Sequence, residues 1–360
     1  MVRRWKQLEF NNNVLKVMDE KRLFNDKISR YFYRLHCEFG SLRNKKYLRI
    51  SERVKSCLNM WVWDAYYQNL VLDLKKVNRC KCKFCSNCRR LDLSRAFNNL
   101  IVPFSEYIKV GYMPIFVTLT VPNCKGEDLS FVLDKMNLSF KKFWNWFHLD
   151  GKNGFSKRFL KFFGAVRCIE VTYNSHRSDY HPHYHLLILI RFCDYDEILF
   201  YKYIDGEWSD KRQQMNYLSD IDVQVRKLWT LAYTNSSLSN YSSLVDLYKC
   251  DVQEMYDDGI SEVLKYSFKD TDLLNYFIFK DLYFSLYNRR LRQGYGNLYN
   301  VKLENDSDGV KQDLYSYLLF NKEELPVELV TRDMETLYNG SHKDYTKISR
   351  FNKDSFINDL

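Results

Sequence analysis

Residues 164–190 constrain the fold more than any other stretch of this chain. GAVRCIEVTYN (164–174) is rich in β-branched residues, NSHRSDY is polar, and HPHYHLLILI ends in an unbroken aliphatic run. Two apolar segments joined by a polar turn read as a β-hairpin with a long loop. MPIFVTLTV (113–121) reads as a further strand. Asp128 to Phe147 has helical spacing and ends in Phe140, Phe143, Trp144, Trp146 and Phe147, a run that suits a core better than a cofactor box. Phe163-Gly164 reads as the break after a short helix. VRRWKQLEF and RVKSCLNMWVWDAYYQNLVLDL make residues 1–75 mostly helical by their three-and-four spacing. The pattern turns helical again beyond Phe192, and Gly259 precedes a helix over ISEVLKYSFK.

The hairpin carries the sharpest chemical signal. Three of the seven histidines fall in HPHYH (181–185). Side chains alternate along a strand, so His183 and His185 share a face, about 7 Å apart along it, and can converge on one cation. Pro182 limits ladder pairing, which puts His181 at the strand entrance. Glu170, on the preceding strand, would complete a set of two imidazoles and one carboxylate with open positions. Such a set suits Mg²⁺ or Mn²⁺ holding a phosphate oxygen, and also accepts Zn²⁺. The alternative is a pair of hydrogen-bonded surface histidines beside an exposed Glu.

Charge is distributed unevenly. The net charge of +10 divides into +14 over residues 1–90, zero over 91–300 and −4 over 301–360. A basic N-terminal region suits a polyanion, because each neutralised phosphate releases counterions. Within it, CKCKFCSNCRR (80–90) holds Cys80, Cys82, Cys85 and Cys88, with Cys57 as a spare thiol. Thiolates at this density usually hold a structural Zn²⁺. Lys81, Lys83, Arg89 and Arg90 would then face phosphate. Aromatics reach 17% while only four Ala occur. An AT-rich coding composition accounts for both, whereas base stacking accounts for the aromatics alone.

Several classes are excluded. A length of 360 residues fits two or three domains. The longest aliphatic run, Leu186 to Ile190, is too short to span a bilayer. MVRRWKQLEF has no apolar core of a secretory signal, so a cytoplasmic location is expected. No GxxxxGK[ST] string supports an ATP-driven motor. Finally, SEVLKYSFKD (261–270) sets Glu262 and Tyr266 four apart on one helical face, with Lys269 three further on. A phenol beside a cation ionises more readily and can attack phosphorus, and a nearby carboxylate can activate water.

Together these strings resemble the rolling-circle plasmid replication initiators of the HUH endonuclease class, in the branch found in small plasmids of Gram-positive bacteria. FVTLTVPN (116–123) resembles the first family motif, IEVTYN with HPHYHLLI the metal motif, and EVLKYSFKD the nucleophile motif. CKFCSNCRR resembles an upstream Cys-rich segment and RRLRQGYGNLYN (289–300) a later stretch. The resemblance runs from about Cys57 to Asn300 and implies an α+β fold. That fold has a central antiparallel sheet with flanking helices and a basic helical N-terminal region ending in a zinc-knuckle-like segment. It implies three regions: 1–90, an endonuclease domain at 91–300, and an acidic extension at 301–360.

The implied activity is metal-dependent nicking and strand transfer at a plasmid's double-strand origin. Tyr266 would form a 5′-phosphotyrosine, Glu262 would assist hydrolytic termination, and Lys269 would support the nucleophile. His183, His185 and Glu170 would hold the metal. The implied partners are origin DNA, single-stranded at the nick, with a host helicase and DNA polymerase. Self-association into a homo-oligomer stays open, as does which two of the three histidines bind metal. Two alternatives remain: a transposase or conjugative relaxase, told apart by genetic context, and a non-catalytic zinc DNA-binding regulator, whose duplex binding would survive loss of His183 and Tyr266.

Overall fold

The β-branched run MPIFVTLT and the two arms of the hairpin build the centre of the main sheet. The computed structural model describes residues 6–7, 21–41, 44–57, 60–66, 71–148, 161–191, 200–204, 207–209, 217–244, 247–248, 250–254, 268–299 and 346–352. The chain forms two units, one of Met1–Asn99 with Lys302–Leu360 and one of Leu100–Val301.

In the first unit, helices α1 (Arg22–Phe39) and α2 (Lys46–Lys55) pack together. Ile28, Phe32 and Leu35 of α1 and Val54 of α2 are buried. Ser29 and Ser51 each donate a hydroxyl to the other's carbonyl, at 2.9 and 2.8 Å. The four-stranded sheet contains β1 (Lys6–Gln7), β2 (Met60–Tyr66) and β3 (Val71–Val77), with Thr346–Asn352 antiparallel to β2. This corrects the helical reading of residues 53–74 beyond Lys55. MWVWDAY and VLDLKKV are rich in aromatic and β-branched residues, and pairing overrides an apolar spacing that also fits a helix. Helix α3 (Ser86–Lys109) follows, and the division between the units falls inside it.

The second unit is α+β. Its five-stranded antiparallel sheet has the order β10-β4-β6-β5-β11, from β4 (Met113–Thr120), β5 (Lys161–Asn174), β6 (Asp179–Arg191), β10 (Cys250–Glu254) and β11 (Arg292–Gly296). Three short strands, β7 (Phe200–Ile204), β8 (Glu207–Ser209) and β9 (Tyr217–Ser219), form a separate sheet where helix was expected. Strand β5 begins at Lys161, so Phe163-Gly164 is not a helix end. The register shifts between Phe162 and Gly164, a bulge that glycine accommodates.

The hairpin turn is set by Asn174, whose Oδ1 accepts the N–H groups of His176 (3.0 Å) and Arg177 (3.2 Å). Pro182 and His181 lie inside β6, not at its entrance. Pairing of β4 with β6 ends at Thr120–His183, so Pro182 lies one residue past the last rung on that side, where a missing N–H is tolerated.

Helices α4 (Gly126–His148), α5 (Asp220–Thr234) and α6 (Tyr276–Leu286) complete the unit, with α4 packed on α5 and α6. Phe140, Phe143, Trp144 and Phe147 are core residues, whereas Trp146 is half-buried. Tyr184 on β6 meets Phe140 at 5.5 Å and Trp229 of α5 at 6.3 Å between ring centroids. The buried Arg167 guanidinium lies 4.4 Å from the Phe140 ring and 4.6 Å from Tyr184. One sheet face is thereby committed to the helices, and residues of opposite parity, including His183 and His185, belong to the other.

At the sheet edge, a Cβ on Gly294 would collide with the backbone oxygen of Leu298. Backbone cannot yield as a side chain can. Gly294→Ala is therefore expected to lower unfolding stability by about 2–3 kcal/mol, measured by urea denaturation. An unchanged midpoint would show that the turn after β11 relaxes freely. No helix among the described residues is long and apolar enough to cross a membrane.

Candidate metal centre

Register brings the site together. Glu170 on β5 lies directly opposite His183 on β6, and Thr118 on β4 lies opposite His185. Glu170 Oε2 sits 3.1 Å from His183 Nε2 and 2.7 Å from His185 Nε2. One ligand atom from each of the three falls within 4.8 Å of the others. Their side chains are only 10–13% exposed, so the cluster is shielded from most of the solvent.

The outer nitrogens are also engaged. His183 Nδ1 lies 3.2 Å from the His181 carbonyl oxygen, which can only accept, so Nδ1 carries the proton. In a neutral ring, Nε2 then presents a lone pair to the carboxylate. Two lone pairs facing each other at 3.1 Å are stabilised by a proton or a metal cation between them. His185 Nδ1 pairs with Thr118 Oγ1 at 3.2 Å, and its ring stacks on Phe116 with centroids 5.2 Å apart. Outer-shell partners of this kind fix the tautomer and ring angle of metal-binding histidines. Burial alone would raise the Glu170 carboxyl, but hydrogen bonds and charge from His183 and His185 outweigh it and hold it below the usual carboxylate range. The donor set therefore fits a hard or borderline divalent cation with open positions. His181, nearest the hairpin turn, is not in the converging set. Burial, then the charges of His183 and Arg177, lower its pKa.

Surrounding contacts hold the hairpin in place. Cys124 and Tyr180 exchange backbone hydrogen bonds of 2.9 and 2.8 Å, tying the segment after β4 to the start of β6. Lys125 Nζ donates to the carbonyls of Arg177 and Ser178, and Tyr180 Oη donates to Asp281 Oδ2 of α6 at 2.8 Å. Glu262 and Tyr266 lie outside the described residues. Lys269 is described and exposed, next to Asp272. Burial raises the Asp272 carboxyl against hydrogen bonds from the Tyr173 and Lys269 N–H groups and the Lys269 charge, while the Glu170 charge adds to the rise. Sequence reasoning missed Thr118. The cross-strand register that would have found Thr118 needs the pairing of β4 with β6.

In the first unit, Cys80, Cys85 and Cys88 come together with Cys57. Cys82 is not part of that group. Lys81 is exposed and Lys83 half-buried, whereas Arg89 and Arg90 are buried at the start of α3.

Residues 71–345 match the family described as Replication protein. Similar curated relatives are each named Protein rep. One from Bacillus sp. is 27% identical over 235 residues, covering 63% of this chain and 69% of that one. One from Staphylococcus aureus is 30% identical over 204 residues, covering 56% and 74%. One from Streptococcus pneumoniae is 26% identical over 226 residues, covering 61% of each. The matched stretches thus span 61–74% of these relatives' lengths. No solved structure matches the chain. With the match running through the whole of the second unit and beyond, the chain belongs to the Replication protein family.

Proposed function

We propose that this chain initiates rolling-circle replication of a plasmid by nicking one strand at the double-strand origin, with residues 91–300 carrying the chemistry. The convergence of Glu170, His183 and His185 on one point of the sheet carries the reading. Family membership supports a role in replication, and a three-ligand set leaves coordination positions for a phosphate oxygen. A divalent ion held there, Mg²⁺ or Mn²⁺, would polarise the scissile phosphate.

The Tyr266 oxygen attacks phosphorus, forming a Tyr–O–P bond as the P–O3′ bond breaks. The phenolic proton leaves to solvent or a nearby base, and the departing 3′ oxygen becomes the hydroxyl that primes a host polymerase while a host helicase unwinds. One phosphodiester replaces another, so later strand transfer needs no ATP. Lys269 favours the ionised phenol, and Glu262 activates water for the terminating hydrolysis. The scissile strand must be single-stranded to reach the sheet. Lys81 and Lys83 contact phosphates outside the reacting centre. The chain works in the cytoplasm, where plasmid and host enzymes meet.

A single-stranded oligonucleotide spanning the cognate origin tests this reading. With Mg²⁺ or Mn²⁺ it should give a denaturant-resistant protein–DNA adduct and a free 3′-OH product. With EDTA it should give neither. An adduct formed equally well in EDTA would remove the metal from the mechanism.

A further inference from the structure

The Cys cluster of the first unit takes no part in that chemistry, yet its geometry is specific. Cys57 Sγ lies 3.6 Å from Cys88 Sγ and 3.7 Å from Cys85 Sγ, and Cys80 Sγ lies 3.5 Å from Cys88 Sγ. All four sulfurs fall within 4.8 Å of one another. A tetrahedron with Zn–S bonds of about 2.3 Å has edges of about 3.8 Å. Iron–sulfur clusters with several irons hold their thiolates further apart. We propose that Cys57, Cys80, Cys85 and Cys88 hold one structural Zn²⁺ as four thiolates, with Cys82 outside the ligand set.

The surroundings suit anionic sulfur. The Cys80 N–H points to Cys57 Sγ and the Cys82 N–H to Cys80 Sγ, both at 3.4 Å. Cys85 and Cys88 flank the first turn of α3, where the helix N-terminus favours negative charge. Arg53 donates to the Cys80 carbonyl, and Arg79 donates to the Cys88 carbonyl at 3.4 Å while pairing with Asp92.

The ligand order has a structural consequence. Cys57 precedes β2 and Cys80 follows β3, so the ion closes the base of the β2–β3 ribbon. It pins the end of α2 to the start of α3 by a bond that survives where a small sheet alone is marginal.

The test uses the full chain carrying His183→Ala and His185→Ala, so that the second cluster contributes no metal. Elemental analysis should find about one zinc per chain, and zinc-edge X-ray absorption a shell of four sulfurs near 2.3 Å. Adding Cys82→Ser should leave both unchanged. Adding Cys57→Ser should release the zinc or replace one sulfur by a lighter atom. If the Cys57→Ser chain does not fold, an intact four-sulfur shell in the Cys82→Ser chain still supports the assignment. Absence of zinc, a shell short of four sulfurs in the parent chain, or loss of a sulfur in Cys82→Ser would overturn it.

Discussion

Replacing His185 with alanine is expected to slow nicking of a single-stranded origin oligonucleotide by about a thousandfold, a loss of about 4 kcal/mol of transition-state stabilisation. His185 supplies one of two ring nitrogens that meet the Glu170 carboxylate, at 2.7 Å. Thr118 and Phe116 hold that ring in its orientation. A site reduced to His183 and Glu170 keeps two donors and binds a divalent cation weakly. Raising the Mn²⁺ concentration should therefore restore part of the rate. Binding of the uncut oligonucleotide should change little, because the basic excess lies in residues 1–90. Single-turnover rates across a Mn²⁺ titration, with binding measured separately, check each point. Wild-type nicking by the variant would show that the imidazole pair does not serve the reaction.

The site was legible in the sequence because strand periodicity is short. Three residues within one hairpin specify their own convergence once the turn is recognised, and the apolar run after His185 marks β6 as buried. The first unit was much less legible. Trp61, Trp63 and Ala65 alternate as a strand requires, but the surrounding apolar residues also fit helical spacing. What decides is pairing, and one partner of β2 is Thr346–Asn352, far along the chain. Local patterning cannot see a rung of that separation. The short strands at 200–219 escaped for a related reason, since three- to five-residue strands carry too few alternations to read.

The cysteines show the same limit in side-chain form. Spacing favours Cys82, two residues from Cys80, over Cys57, separated from it by a whole ribbon. The backbone intervenes, because Lys81 adopts a left-handed φ of 56° and turns the chain between Cys80 and Cys82. The β2–β3 ribbon meanwhile returns the chain to Cys57. Sequence distance and spatial distance part at such a turn. Arg89 and Arg90 follow similarly: their charge reads as surface, but the first turn of α3 buries them beside the thiols.

Tyr266→Phe is expected to abolish the covalent adduct, lowering its rate of formation by on the order of 10⁴-fold or more, because phenylalanine has no oxygen to bond to phosphorus. Metal binding at Glu170, His183 and His185 should be untouched in the variant, which separates loss of the nucleophile from loss of the fold. Glu262→Gln should behave differently, forming the adduct but releasing it slowly, since an amide cannot take a proton from water. A regulator that only binds DNA would give no adduct even in the wild-type chain. An initiator using another phenol would give one in Tyr266→Phe, and mass spectrometry of the linked peptide would name the tyrosine that took its place.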